Sequence, residues 1–359
     1  MKKIISLLLV VFTVAAMFAF TACDKATTDT NEPSTSDTET TDTSALKFGL
    51  GIVASTGDAK AADGDTNGEA GVEVTAVAVL LDAEGKVVDV KLDSLDATTE
   101  WTSTGTAVAS TEVKTKYELG DAYNMAAYGK KHDGSEGKVL EWYAQADAFA
   151  ATAKGKTPDE VKAFMTEDTY TTGDLATAGC TISVGSIMKA FEEAVANAVA
   201  TTATSSDKLG IAFATSVSNT DATEEKEGKV EVNATIVAAV TDAEGKVVVA
   251  KTDVVSASVA FDLAGASTAV AADVQTKGEL GDAYNMAAYG QKHDGSEGAV
   301  LEWYLQAAEF DKALVGKAAA DFAVFADETG YGAGDLATAG CTINISDMIK
   351  AATAAATVA

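Results

Sequence analysis

Apolar and polar positions change rhythm several times along this chain. Residues 4–20 form an almost unbroken apolar run, residues 25–44 carry no large apolar side chain, and beyond them a period of two gives way to helical spacing. Val72, Val74, Ala76 and Ala78 lie in an apolar-rich run that ends at Leu81. Asp82-Ala83-Glu84-Gly85 then has turn chemistry, and residues 86–92 return as a second strand. Residues 230–240 and 246–251 repeat this hairpin. The pattern predicts an antiparallel sheet with one covered face in each half.

Helical spacing follows each hairpin. Asp133-Gly134-Ser135-Glu136 offers an N-cap acceptor with a glutamate three residues on, after which Val139, Trp142, Tyr143, Ala146 and Phe149 share one helical face. Val300, Trp303, Tyr304, Ala307 and Phe310 repeat that stripe. Burying each aromatic contributes roughly 2–3 kcal/mol, so both stripes are expected to pack on the sheets. Thr157-Pro158-Asp159-Glu160 is a second capping box with proline at the first helical position, predicting a helix toward Met165. Further on, Ser183 or Ser186 can cap a helix from 187 to about 199, and Ser346 or Asp347 one from 348 to the end. Residues 198–206 read as a small-residue connector, either flexible or a helix end.

The two halves match in sequence as well as in rhythm. Gly-Asp-Leu-Ala-Thr-Ala-Gly-Cys-Thr-Ile occurs unchanged at 173–182 and 334–343, a spacing of 161 residues. Residues 119–143 and 280–304 differ at 2 of 25 positions, whereas 144–172 and 305–333 share only 8 of 29. A period this long marks a duplicated domain rather than a solenoid repeat of about 20–50 residues. Either function holds the two matched patches while their connector drifts, or partial gene conversion has equalised them. The expected fold class is α+β: two tandem duplicated domains, 46–200 and 201–359, each an antiparallel sheet packed by helices.

The amino-terminal segment has a different logic. Lys2 and Lys3 precede the apolar run, and Phe20-Thr21-Ala22-Cys23 places small residues before a cysteine. This resembles a lipoprotein signal, with 1–22 removed and Cys23 lipidated. The rival reading is a transmembrane anchor, for which the run lies at the short end of about 20 residues. Two or more acyl chains, at about 0.8 kcal/mol per buried CH₂, would hold the protein on the outer face of the cell membrane. Residues 23–45, rich in Thr, Ser and Asp, then form a disordered tether.

A net charge of −28 and a pI near 4.3 oppose phosphate backbones, so nucleic acid is excluded as a partner. Cys180 and Cys341 occupy equivalent places and imply no disulfide framework. His132 and His293 belong to no haem-attachment or zinc-like motif. No Ser-His-Asp, Cys-His or paired-carboxylate constellation stands out, and substrate chemistry beyond electron transfer is not expected.

Ala178-Gly179-Cys180-Thr181 and Ala339-Gly340-Cys341-Thr342 resemble the acceptor motif of FMN-binding domains, usually Ser/Thr-Gly-Ala-Ser/Thr, found in sodium-translocating NADH:quinone reductases and their relatives. Alanine stands here for the first hydroxyl residue and cysteine for alanine, and Asp174 and Asp335 lie seven residues before the acceptor instead of the more usual six. The arrangement of signal, tether and two such domains is similar to the PplA-like lipoproteins of Gram-positive extracellular electron transfer. The resemblance implies FMN esterified through its phosphate to Thr181 and Thr342 by an ApbE-type flavin transferase. It also implies electrons arriving from a membrane NADH dehydrogenase or quinone pool and leaving to external acceptors such as ferric iron.

The residue types suit that chemistry. A phosphoester needs a hydroxyl, and the small residues Ala178, Gly179, Ala339 and Gly340 leave the threonine open to a bulky transferase. Cys180 and Cys341 are rival attachment points or small packing residues. Tyr123, Tyr128, Trp142 and Met125, with Tyr284, Tyr289, Trp303 and Met286, offer flat or polarizable surfaces to an isoalloxazine ring. Tyr123 and Tyr284 are the expected ring contacts. Lys116 and Lys277 either serve a reduced ring or phosphate, or are solvated surface lysines. A cofactor-free adhesin or cell-wall interaction module is the reading from another class, and a solute-binding lipoprotein a third.

Overall fold

The computed structural model describes residues 45–108, 113–127, 139–288 and 300–359. Cys23, Tyr128, His132, the capping box at 133–136, Tyr289 and His293 lie outside the described residues. Strand β1 (Lys47–Thr56) pairs antiparallel with β2 (Gly68–Leu81), and β2 with β3 (Val87–Trp101). Among the helices that follow are α1 (Lys116–Leu119), α2 (Trp142–Ala153), α3 (Pro158–Lys162) and α4 (Gly173–Thr177). Helix α5 (Gly185–Ala196) and the two-residue strand β4 (Val199–Ala200) lead to β5 (Lys208–Thr220), β6 (Gly228–Thr241) and β7 (Val247–Phe261). These three again pair antiparallel in order. Strand β8 (Ala272–Val274) and helices α6 (Lys277–Leu280), α7 (Trp303–Leu314), α8 (Gly334–Thr338) and α9 (Ser346–Val358) complete the chain.

Each sheet is covered on both faces, not on one as the alternation suggested. Along β2, Val72, Val74, Ala76, Ala78 and Leu80 pack with Val232, Ala234, Ile236, Ala238 and Val240 of β6 in a core between the sheets. Val77, Val79 and Leu81 point the other way, onto Trp142, Phe149, Ile187, Met188 and Phe191 of α2 and α5. Val237, Ala239 and Val247 meet Trp303, Phe310, Met348 and Ala352 of α7 and α9 in the same manner. The described residues therefore form one compact α+β unit, layered helix, sheet, sheet, helix. Beside this main inter-sheet core, Trp101 at the end of β3 stacks on Phe261 at the end of β7, with centroids 5.2 Å apart.

Strand β1 shows how sequence sets the layer spacing. Phe48, Leu50 and Ile52 face the opposing sheet, while Gly49 and Gly51 alternate with them under α5. A Cβ on Gly49 would lie 1.9 Å from the Ala194 carbonyl oxygen, and one on Gly51 2.1 Å from that of Ala190. The helix thus rests on bare backbone. The connector after α5 is partly strand, since β4 pairs with Lys47 and Phe48. At the other end β8 pairs with Ala54, Ser55 and Thr56, so both ends of the β1 edge are covered.

Helix boundaries moved where capping was provided by other groups. Thr157 caps α3 through the expected box with Glu160, but the helix ends at Lys162, short of Met165. Helix α2 starts at Trp142 with Glu141 as N-cap, and Val139 precedes it. The last helix of each half has Val184 or Ile345 at its N-cap and no side-chain cap, so none of Ser183, Ser186, Ser346 and Asp347 plays that part. Among the described residues no helix is long and apolar enough to cross a membrane.

Candidate functional site

The repeated decapeptide is a short helix followed by a left-handed stop. Helix α4 is followed by Ala178 as its C-cap, and Gly179 turns the chain with φ +96°. Its N–H donates to the Ala176 carbonyl at 3.1 Å, and the Cys180 N–H donates to that of Leu175 at 3.3 Å. This is the paired bonding of a Schellman motif, with Leu175 and Cys180 buried as its apolar contact. In the second half Gly340 has φ +104°, and the corresponding bonds from Gly340 to Ala337 and from Cys341 to Leu336 are 3.0 and 3.1 Å. The glycines are accounted for by this turn. Ala178 and Ala339 are exposed at the helix end, and Thr181 and Thr342, next after the buried cysteines, are exposed.

Cys180 and Cys341 point inward. Both are fully buried in the cores beneath α2 and α7, and burial pushes their thiols up to about 11. A thiol held neutral in the core suits the packing reading of these cysteines better than the attachment reading. Within residues 178–181 and 339–342 the hydroxyls of Thr181 and Thr342 are the accessible nucleophilic atoms.

Periodicity did not single out the residues that hold the threonines. Gln145, fully buried on α2, accepts the Thr181 N–H at 2.7 Å and the Ile182 N–H at 3.2 Å. The Thr181 hydroxyl directs its proton to the same oxygen across a longer 3.4 Å, leaving its lone pairs free. The Gln145 amide group donates to the Leu140 carbonyl at 2.8 Å and toward Met125 Sδ at 3.4 Å. Gln306 treats Thr342, Leu301 and Met286 in the same way, accepting the Thr342 N–H at 2.8 Å. Glu141 accepts the N–H groups of Met125 and Ala126, and Glu302 those of Met286 and Ala287. The Gly-Asp-Ala-Tyr-Asn-Met stretch and the acceptor threonine are thereby tied to one helix start.

Tyr123 and Tyr284 stand two residues before those methionines and are half-buried. The Tyr123 hydroxyl donates to Asp96 at 2.9 Å, and burial, reinforced by that carboxylate, holds its pKa above the usual phenol range. Lys116 is no solvated lysine: its ammonium lies 2.9 Å from Asp96, 5.4 Å from the Tyr123 ring centroid and 5.6 Å from that of Trp142. Lys277 sits over Tyr284 and Trp303 at 5.2 and 5.7 Å. Cation–π contacts of this kind contribute about 0.5–2 kcal/mol, so one face of each tyrosine is engaged by the protein itself.

A third strand of chain borders each threonine. The Thr171 hydroxyl donates to the Cys180 carbonyl at 2.6 Å, Tyr170 bridges Ser183, and the Val184 N–H donates to the Thr169 carbonyl at 2.8 Å. In the second half Tyr331 bridges Asn344, and the Gly332 N–H donates to the Ile343 carbonyl at 3.0 Å. Beside α8 a groove of about 710 Å³ is lined by Lys312, Lys317, Phe325, Asp335 and Ala339 among others; it touches the motif at Ala339 and does not include Thr342.

Within residues 178–181 and 339–342 the threonine hydroxyl is the one exposed side-chain nucleophile and a rigid turn backs it, an arrangement compatible with an esterified FMN. No protein-family model matches the chain, and no curated protein or solved structure matches it.

Proposed function

We propose that this chain is an extracellular flavoprotein electron carrier, held at the membrane by a lipid on Cys23 and carrying one FMN on each of Thr181 and Thr342. In this reading the two halves are duplicated FMN-binding domains, each completed by its own threonine. The observation that carries it is the exposed threonine after a Schellman turn, held by a buried glutamine, with the same geometry 161 residues later. Covalent attachment suits an exported protein, from which a dissociated cofactor would be lost to the medium.

When bound, FMN supplies one- and two-electron chemistry. The chain's own residues attach, orient and shield. Thr181 and Thr342 would supply the oxygen that bonds to the FMN phosphorus of FAD as AMP leaves and the hydroxyl proton is released, while the oxygen of Gln145 or Gln306, which accepts that hydroxyl before transfer, keeps the threonine backbone N–H fixed. Lys116 and Lys277 bring positive charge into an otherwise strongly acidic protein. The transferase, a membrane NADH dehydrogenase or quinone pool and an external acceptor such as ferric iron are the partners this function requires.

Coproduction of the mature chain with an ApbE-type transferase should give yellow protein whose intact mass rises by two FMN adducts. Thr181→Ala and Thr342→Ala should each remove one. Retention of both adducts in either variant would refute the site, and a colourless product beside a modified control acceptor would refute the function in favour of a cofactor-free surface module.

A further inference from the structure

We infer that Tyr170 and Tyr331 are the side chains against which the isoalloxazine ring rests. This goes one step beyond the flavin reading and depends on it. Residues 144–172 and 305–333 have diverged at most positions, yet both keep this tyrosine. Most of the other shared positions have a packing or turn role: Gln145, Ala146 and Phe149 are buried in α2, Phe164 is buried, and Gly155 takes φ +76°. No such role accounts for the tyrosines. Tyr170 is 58 % and Tyr331 49 % exposed, and neither phenol makes a hydrogen bond among the described residues. Tyr117, Tyr123, Tyr143 and Tyr304, by contrast, each tie their hydroxyl to a carboxylate.

Position supplies the function. Tyr170 is carried on the strap that runs along the acceptor segment, with Thr171 bonded to the residue before Thr181 and Tyr170 bridged to the residue two after it. Tyr331 is bridged to Asn344, two residues after Thr342. An exposed aromatic side chain whose backbone is bridged two residues from the threonine offers an apolar, planar face to a planar ligand tethered there. The Tyr123 and Tyr284 rings are half-buried and already covered by lysine, so the ring contact moves from them to the strap.

The test uses the mature chain loaded by the transferase, with Thr342→Ala present so that a single flavin reports. A phenol or indole in contact with excited flavin quenches its fluorescence by lending it an electron that returns on recombination. The parent should be quenched, Tyr170→Ala should raise fluorescence per flavin severalfold with the mass adduct intact, and Tyr170→Trp should restore quenching. Tyr331 should behave likewise in a Thr181→Ala background. Unchanged fluorescence with an intact adduct would overturn the inference. Loss of the adduct in Tyr170→Ala alone would overturn it too, by assigning the tyrosine to docking of the transferase. A parent with no adduct would overturn the flavin reading and this inference together, and mass separates the two failures.

Discussion

The side-chain oxygen of buried Gln145 lies 2.7 Å from the backbone nitrogen of Thr181, and this bond joins the helix under the first sheet to the exposed end of the acceptor motif. A buried amide that satisfies two backbone donors and one carbonyl is costly to remove, because each abandoned partner keeps its desolvation penalty.

Gln145→Leu should therefore destabilise the protein by about 2–4 kcal/mol, summing orphaned N–H and carbonyl groups at about 1–3 kcal/mol each with partial relaxation. Urea unfolding measures that loss. In protein coproduced with the transferase, adduct occupancy at Thr181 should fall while Thr342 stays modified, which peptide-level mass spectrometry distinguishes. Equal occupancy at both sites would show that Gln145 stabilises the fold without positioning the threonine.

The glycine of each motif is a second point of failure. Gly179→Ala forces a side chain into the left-handed region, at a cost of roughly 1–2 kcal/mol. Its Cβ would stand 3.0 Å from Leu140 Cδ1, whereas that of Gly340→Ala would stand 2.6 Å from Leu301 Cδ1. Gly340→Ala should accordingly be the more destabilising, with a lower urea midpoint than Gly179→Ala. The reverse order would mean that Leu301 yields more easily than Leu140.

Much of the fold was legible in the sequence, for reasons that particular residues make plain. The hairpins follow from turn residues such as Gly85 and Gly245 between apolar runs. Coverage of both sheet faces was written in the unbroken apolar stretch at 76–81, which alternation alone treats as one buried face. Gln145 escaped because a polar residue in a helical stripe reads as outward-facing; only its identity with Gln306 inside a drifting segment marked it. The last-helix starts escaped because Val184 is fixed by its own burial and its bond to Thr169, not by a hydroxyl cap. Tyr170 escaped because no rhythm marks a lone exposed ring.

The cysteines give a reactivity prediction. With thiols raised to about 11 and no exposed surface, Cys180 and Cys341 should resist iodoacetamide in the native protein at about pH 8, where an ordinary thiol is partly ionised. Both peptides should be alkylated after denaturation. On the proposed attachment through the threonine oxygen, Cys180→Ala should keep its flavin adduct; loss of the adduct in a folded variant would make the sulfur the attachment atom. Cys180→Ser, which buries a hydroxyl, should be less stable than Cys180→Ala by about 1–3 kcal/mol if the hydroxyl finds no partner.

Stability should also fall as pH rises toward neutrality. Asp311 on α7 is buried against β7, where the Thr252 hydroxyl donates to it at 2.6 Å and the Thr252 N–H at 3.2 Å. Burial raises its pKa from 3.8 to about 7 despite those bonds, and burial does the same to Asp93 beside α1. A carboxyl whose pKa is higher folded than unfolded binds extra protons in the native state. Its stabilisation is complete below the unfolded pKa and is lost as pH climbs through the folded one, here between about pH 4 and pH 7. Asp311→Asn keeps an acceptor for the Thr252 N–H, offers a donor to the hydroxyl and removes the charge. Its melting temperature should vary less from about pH 5 to about pH 8 than the parent's and exceed it at the alkaline end, by about 2–4 °C for each kcal/mol recovered. Parallel curves for parent and variant would show that Asp311 ionises in the folded protein as it does in the unfolded chain.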